Sequence, residues 1–122
     1  MSALFDRCNV FELDKSPRRA HGGRGEIAFR RIAEAAELGG SVNFIDVAEL
    51  EPGVTIGLHR HADDEEEYYL VLCGSGRMVR DGVAFSVRAG DLIRTGPGGR
   101  HQLENDGREL LRLFVFEVKA TR

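Results

Sequence analysis

The chain has 122 residues and a formal net charge of −3, from 17 Lys and Arg against 20 Asp and Glu. This length predicts one domain with a substantial core, because a chain of this size buries roughly two-thirds of its unfolded surface. The mild acidity argues against a nucleic-acid partner, which would favour a basic surface. No apolar run approaches the ~20 residues of a membrane-spanning helix, so we expect no membrane partner either.

Cysteine usage and the opening residues bear on the compartment. Cys8 and Cys73 match neither a CxxC pair nor a zinc-ribbon spacing. The first ten residues, MSALFDRCNV, show no basic segment followed by an apolar one, which is the pattern of a signal peptide. We therefore expect a reduced, cytoplasmic protein.

Residues 1–40 are expected to form an N-terminal arm. Residues 16–25 combine Pro, Gly and Arg in SPRRAHGGRG, which predicts irregular structure. The next residues, EIAFRRI, predict a short strand, and AEAAEL favours a turn or two of helix ended by the glycine pair at 39–40. His21 lies in the irregular part, and we expect it to be unrelated to any metal site.

From Ser41 onward, short β-like runs alternate with turns. The runs are VNFIDVAEL, VTIGLHRH, YYLVLC, RMVR, VAFSVR, DLIRT, HQLE and ELLRLFVFEV. Asp81-Gly82, between RMVR and VAFSVR, is a strong signal for a two-residue hairpin. Many short strands at close spacing predict an all-β class, with an antiparallel sandwich or barrel over residues 41–122.

Three histidines and a glutamate form a candidate metal site. His59 and His61 are two residues apart, so on a strand both side chains point to the same face. A hairpin can bring Glu67 of the next strand opposite them, and His101 follows a Gly-rich turn much later in the chain. Three nitrogens and one oxygen suit Mn, Fe, Co, Ni, Cu or Zn. The alternative is a histidine-bearing strand beside a solvated acidic loop at 63–66.

The spacing around the first three candidates is a family motif. Gly53 is followed after five residues by His59 and His61, then by Glu67, then after six residues by Gly74. This pattern resembles the first motif of the cupin superfamily.

The second cupin motif follows in the expected order. Gly90 is followed after five residues by Gly96-Pro97-Gly98, then by His101 and, four positions on, by Asn105. The resemblance spans about residues 41–118. It implies a single-domain cupin β-barrel, also called a double-stranded β-helix or jelly roll, with an irregular N-terminal arm.

Two positions depart from the family pattern. The interval from His61 to the glutamate is one residue longer than usual, so either Glu67 is the ligand and the loop bulges, or Glu66 is the ligand. Glu67 keeps the six-residue spacing to Gly74 and is preferred. Gly96 stands where the family usually has proline, which affects the rigidity of the turn.

The resemblance implies a divalent transition metal (Mn, Fe, Ni, Cu, Co or Zn) bound by His59, His61, Glu67 and His101. The chain is similar to a small group of oxalate-decarboxylase-like and phosphomannose-isomerase-like cupins, which implies a small-molecule ligand. Small cupins also resemble one another in forming homodimers, so we expect one here.

The expected function is that of a metal-dependent enzyme acting on a small oxygenated organic acid or an enolisable carbonyl compound. Decarboxylation, dioxygenation, cyclisation and isomerisation are all compatible with a substrate chelated by the metal. Two alternatives are a non-catalytic module that binds metal and a small ligand, and a cyclase or tailoring enzyme of a bacterial biosynthetic pathway. The sequence leaves open whether the protein is an enzyme at all.

Glu66 and Arg94 are candidate catalytic residues. Glu66 is a candidate proton donor if Glu67 is the ligand. An acidic substrate would favour a guanidinium group nearby, and the strands offer Arg30, Arg94 and Arg112. Alternation alone does not fix which of these points inward, because the strand register is not known from sequence.

Overall fold

The computed structural model describes residues 4–120, which form ten strands and contain no helix. In chain order the strands are β1 (Ser16–Arg18), β2 (Ile27–Glu34), β3 (Val42–Leu50), β4 (Thr55–Arg60), β5 (Glu65–Cys73), β6 (Ser75–Arg80), β7 (Val83–Arg88), β8 (Leu92–Thr95), β9 (Arg100–Glu104) and β10 (Leu111–Lys119). The predicted all-β class is confirmed. Within the described residues, no helix is long and apolar enough to cross a membrane.

The strands form two antiparallel sheets. The six-stranded sheet has the order β1-β2-β3-β10-β5-β8, and the four-stranded sheet has the order β4-β9-β6-β7. The side chains of β10 alternate between buried and half-buried, because one of its faces points into the protein. The buried apolar cluster takes residues from both sheets: Ile27, Ala48, Leu50, Val71, Leu113, Ile56, Met78, Val87 and Leu103. The two sheets therefore enclose one core.

The predicted Asp-Gly hairpin is present. Asp81 and Gly82 join β6 to β7 with φ angles of 49° and 81°, and Arg80 pairs with Val83 on either side of them. Two consecutive positive φ angles produce a turn whose twist matches that of the flanking strands. Gly82 adopts this conformation without the steric cost that a side chain would add.

Residues 4–40 are more regular than expected. The strand predicted from EIAFRRI is β2, but the helix predicted from AEAAEL is wrong. Ala33 and Glu34 instead pair with Ile45 and Phe44 of β3, and a turn follows at 35–38. So short a stretch cannot pay for helix nucleation by itself, and the available strand pairing determines its conformation.

Part of the stretch predicted to be irregular is also a strand. Residues 16–18 form β1, which pairs with β2 and widens the larger sheet. The division into an arm over 1–40 and a barrel over 41–122 stays a prediction.

Residues 19–25, the crossing segment, connect β1 to β2 by passing over β4. Its carbonyl groups at Ala20 and Arg24 accept hydrogen bonds from the Gly57 and Thr55 amides, at 3.0 and 2.9 Å. The approach is so close that a Cβ atom on Gly57 would lie 2.1 Å from the carbonyl oxygen of His21. This contact requires glycine and places the crossing segment beside β4.

Candidate metal centre

The structure brings the four residues of the sequence-based site together. His59 lies near the end of β4 and His61 just after it, while Glu67 lies on β5 and His101 on β9. Their ligand atoms all lie within 4.8 Å of one another. His101 Nε2 is 3.1 Å from His59 Nε2 and 3.0 Å from His61 Nε2. His59 is half-buried and the other three are buried, so the cluster lies inside the barrel.

In His59 and His61, the contact made by Nδ1 determines that Nε2 is the nitrogen facing the middle of the cluster. His59 Nδ1 lies 2.8 Å from the Gly57 carbonyl oxygen, which can only accept, so Nδ1 carries the proton of the neutral ring. His61 Nδ1 lies 3.1 Å from the Glu117 carboxylate, which fixes the same tautomer. Both Nε2 atoms of the neutral rings therefore point a lone pair into the cluster, the arrangement that a metal ligand needs.

Glu67 completes this convergence. Its Oε1 lies 3.0 Å from His101 Nε2 and 3.2 Å from His61 Nε2, yet it is buried and forms no hydrogen bond with the described residues. The Oε1 atom of Glu67 and the two Nε2 atoms thus lie close together inside the barrel. His101 Nδ1 in turn meets the Thr95 hydroxyl at 2.9 Å. This donor set fits a divalent transition metal.

In the absence of a metal, the pKa values of the cluster residues favour a positive charge between them. Burial alone would lower the pKa of His61, but the hydrogen bond to Glu117 and the adjacent carboxylate of Glu67 raise it to about 10. Burial lowers the pKa of His59 to about 4. Burial would raise the pKa of Glu67, but the adjacent rings of His101 and His61 lower it to about 2. The metal-free centre thus pairs an ionised carboxylate with a proton on His61.

Glu117 is a supporting residue that the sequence-based reasoning missed. Its Oε1 contacts His61 Nδ1, and its Oε2 accepts a hydrogen bond from Asn43 Nδ2 at 2.9 Å. The signal was present in the sequence, because Glu117 continues the alternation of Leu113 and Val115, which point inward on β10.

Glu66 and Arg94, the candidate catalytic residues, lie outside the cavity beside the cluster. Side chains alternate along β5, so Glu67 points into the barrel and Glu66 points out. Glu66 Oε2 lies 2.8 Å from Arg94 Nη2, and the Tyr68 hydroxyl also bonds to Glu66. Neither Glu66 nor Arg94 lines the cavity beside the cluster. A catalytic role for this pair stays a prediction, and the structure places both side chains away from the cluster.

The expected acidic loop is shorter than 63–66. Asp63 and Asp64 are exposed, as a solvated loop predicts, whereas β5 already begins at Glu65. Glu65 is half-buried and lines the cavity.

The cavity has a volume of about 520 Å³ and opens beside the cluster. Its polar side includes His59, His61 and Glu67, and its apolar walls include Phe29 and Val115. A volume of this size lies within the roughly 300–1,000 Å³ of pockets that bind small organic molecules.

The arginines of the cavity differ from those considered from sequence. Arg30 donates to the Asp14 carbonyl oxygen at 3.1 Å and Arg112 pairs with Glu49 at 3.0 Å, both outside the cavity. The arginines that line it are Arg18, Arg19, Arg31 and Arg60. Arg31 could have been found, since it continues the inward alternation of Ile27 and Phe29, but the crossing segment has no periodicity to follow.

His21 lies at the site, contrary to expectation, although it is outside the four-residue cluster. Its ring stacks on that of His59, with ring centres 3.6 Å apart and planes inclined by 8°. The crossing segment brings it there, a contact between positions 38 apart in the chain that no local pattern indicates. His21 has a positive φ of 51°, a conformation unusual for a residue with a side chain.

These observations define the class of protein. It is a small antiparallel double-stranded β-helix that carries on its inner walls a three-histidine, one-glutamate cluster able to hold a metal ion. The cupin-domain family matches residues 46–117, more than half of the chain, so the chain belongs to the cupin family.

Individual relatives agree with this assignment. An oxalate-binding protein from Thermotoga maritima is 31% identical over 86 residues, covering 70% of each protein. The solved structure of a predicted oxalate decarboxylase from Thermotoga maritima superposes with a TM-score of 0.85 at 26% identity, covering 91% of this chain and 96% of that one. A dimethylsulfoniopropionate lyase, DddW, from Ruegeria pomeroyi is 36% identical over 66 residues, covering 54% of this chain and 42% of the relative.

Proposed function

We propose that this cupin binds a divalent transition metal through His59, His61, Glu67 and His101 and uses it to hold a small oxygenated organic acid. The observation that carries the proposal is the convergence of histidine Nε2 atoms and an otherwise unbonded carboxylate oxygen at the edge of a 520 Å³ cavity. Packing such acceptors together in the barrel is costly unless a cation lies between them.

The residues that contact the histidine rings also favour metal binding. Glu117 accepts from His61 Nδ1, and the Gly57 carbonyl oxygen accepts from His59 Nδ1, which fixes both rings with Nε2 towards the metal position. An ion held by these four residues would supply a site where oxygen atoms of a small ligand could also bind. The similarity to an oxalate-binding protein supports an acid as that ligand.

The chemistry we propose is enzymatic. A bound metal would polarise the carboxyl or carbonyl group of a chelated acid, as decarboxylation, dioxygenation, cyclisation and isomerisation all require. The cavity walls, including Phe29, Phe44, Ile56 and Val115, would exclude water from that group. Turnover of a panel of oxygenated acids and enolisable carbonyl compounds by metal-loaded protein tests this, with the His101→Ala variant as the inactive control.

A second candidate is a binding module without turnover. One observation favours it: Glu66, the carboxylate considered as a proton donor, points away from the cavity. Acid binding to the metal-loaded protein without loss of any panel compound would support this candidate over the enzyme.

The first experiment is metal analysis of protein purified without chelator or added metal. We expect about one transition-metal ion per chain from a single four-ligand cluster. The variants His59→Ala and His101→Ala should each lose most of it while remaining folded. A variant of either kind that keeps full metal content would falsify the ligand assignment.

We also propose that the protein is a homodimer. On the outer face of the larger sheet, Tyr68 stacks on Phe116, which lies beside Phe114, and all three rings are half-buried. Half-exposed aromatic groups on one sheet face suit burial against a second copy. Size-exclusion chromatography with light-scattering detection should give twice the mass of the chain. A measured mass equal to that of one chain would count against the proposal.

A cytoplasmic location is the remaining proposal. Both Cys8 and Cys73 are free thiols, which agrees with a reducing compartment. Fractionation of the source cells followed by detection of the native chain tests it.

A further inference from the structure

Arg18 occupies an unusual position in the cavity wall. It ends β1, and its guanidinium carbon lies 4.2 Å from the centre of the Phe29 ring, which also lines the cavity. Arg18 is exposed, and within residues 4–120 its side chain forms no ion pair and no hydrogen bond. A guanidinium held over an aromatic ring keeps its edge, with its N–H donors, free for another group.

The other arginines of the cavity already have partners. Arg31 donates to both carboxylate oxygens of Asp46, at 2.9 and 3.1 Å. Arg60 pairs with Asp63 at 2.8 Å, and Arg19 donates to the Gly23 carbonyl oxygen at 2.8 Å. Arg18 is therefore the cavity arginine with its whole donor set available among the described residues.

The charge of Arg18 acts on the interior of the cavity. Burial raises the pKa of Asp46, and the positive charge of Arg18 is among the effects that oppose this rise. Asp46 lines the cavity, so a negative group bound there would also interact with Arg18.

We propose that Arg18 binds a second anionic group of the acid held at the metal centre, so that the preferred ligand is an acid with two anionic ends. One end chelates the metal, and the other lies away from it against the guanidinium. This inference rests on the proposed function, since it requires an acid at the metal. It differs from oxalate binding, because oxalate has no second carboxylate beyond the chelating pair.

The cavity fits such a ligand in size and lining. Its volume of about 520 Å³ exceeds the needs of a two-carbon acid, and the rings and branched side chains of Phe29, Ile56 and Val115 offer apolar surface to a short hydrocarbon body. The region that contributes Arg18 lies outside residues 46–117, where the cupin-domain family matches. Arg18 would therefore give this chain a ligand preference of its own.

A series of acids with one constant metal-binding end tests the proposal. Lactate, malate and 2-hydroxyglutarate share a carboxylate and a neighbouring hydroxyl for chelation, but the second carboxylate is absent from lactate and lies progressively farther away in the other two. Each would be titrated calorimetrically into zinc-loaded protein. We expect malate or 2-hydroxyglutarate to bind at least about tenfold more tightly than lactate, the gain of one charge-assisted contact.

Two variants assign that gain to Arg18. Arg18→Gln keeps the apolar stem over Phe29 but removes the charge, so it should abolish the preference for the diacid and leave lactate binding unchanged. Arg30→Gln is the matched control, because Arg30 lies outside the cavity and bonds to the Asp14 carbonyl oxygen. It should preserve the preference.

The outcomes separate this inference from the proposed function. If lactate binds only the zinc-loaded protein and neither diacid binds more tightly, the role of Arg18 is refuted while the metal-and-acid function stands. A diacid preference that survives in Arg18→Gln also refutes it. If no acid distinguishes zinc-loaded from metal-free protein, the proposed function itself fails.

Discussion

The two adjacent glutamates of β5 illustrate how one residue position decides a chemical role. Glu67 points at the histidine cluster with an unbonded oxygen, and Glu66 points outward to Arg94. Since a strand alternates its side chains, a slip of one residue would exchange their places. The one-residue-longer interval after His61 is absorbed before β5 begins, which leaves Glu67 on the inner face.

A pair of isosteric variants tests this difference. Glu67→Gln replaces an ionised ligand with a neutral amide, and we expect it to weaken metal affinity by more than the roughly 10–100-fold typical of losing a supporting contact. Glu66→Gln, with the same change on the outer face, should keep wild-type affinity. Competition with a chromophoric chelator measures both constants, and the reverse order of effects would make Glu66 the ligand.

Glu117 should matter through His61 and not through the metal directly. Glu117→Gln removes the carboxylate that accepts from His61 Nδ1, and we expect metal affinity about 10–100-fold weaker with a folded barrel. Glu104→Gln, which alters a partly exposed carboxylate paired with Arg24, is the control. Equal affinities for the two variants would show that Glu117 does not orient the ring.

The candidate ligands could be predicted from sequence because strand alternation and two spaced motifs place them. Arg18 and His21 could not, since Arg18 lies on the three-residue strand β1 and His21 on the crossing segment that packs over β4, and neither stretch has a local signature. Glu117 is an intermediate case. The alternation along β10 predicts that it points inward, but its contact with His61 depends on the register of β10 against its neighbours, which the sequence does not show.

At the level of elements, pairing between distant strands accounts for what the sequence predicted wrongly. AEAAEL has helix-favouring residues, but Ala33 and Glu34 have partners on β3. The same applies to β1, a three-residue strand that no propensity predicts and that β2 stabilises. The core strands were predictable because their apolar alternation is long, as in β10.

The crossing segment depends on a glycine of β4. Gly57→Ala would place a Cβ 2.1 Å from the His21 carbonyl oxygen, so the segment must move away and lose its hydrogen bond from the Gly57 amide. We expect a loss of about 1–3 kcal/mol in stability, as is usual for overpacking. Trypsin should also cut faster after Arg19 and Arg24.

The matched control for that variant is Gly39→Ala, because a Cβ at Gly39 would meet no atom within 4 Å. It should leave both the melting temperature and the trypsin cleavage pattern close to wild type. If the two alanine variants are cut at the same rate, the crossing segment does not need the close contact with Gly57.

For the whole molecule, the candidate metal centre takes its residues from both sheets. His59 and His101 belong to the four-stranded sheet, and Glu67 belongs to the six-stranded sheet. An ion that binds all of them stabilises only the folded arrangement, because the unfolded chain does not hold these ligands together. Metal binding is therefore expected to act as a link between the sheets.

Removal of the metal should lower the melting temperature. An ion at a hundred times its dissociation constant adds about 2.7 kcal/mol to folding stability, which for a domain of this size corresponds to a decrease on the order of 10 °C when a chelator removes it. Differential scanning calorimetry with and without chelator measures the shift, and re-addition of zinc should restore it. The His101→Ala variant should have the same melting temperature with and without chelator, because its cluster no longer binds the ion. A wild-type melting temperature that stays constant after the ion has been removed would show that the cluster does not link the sheets.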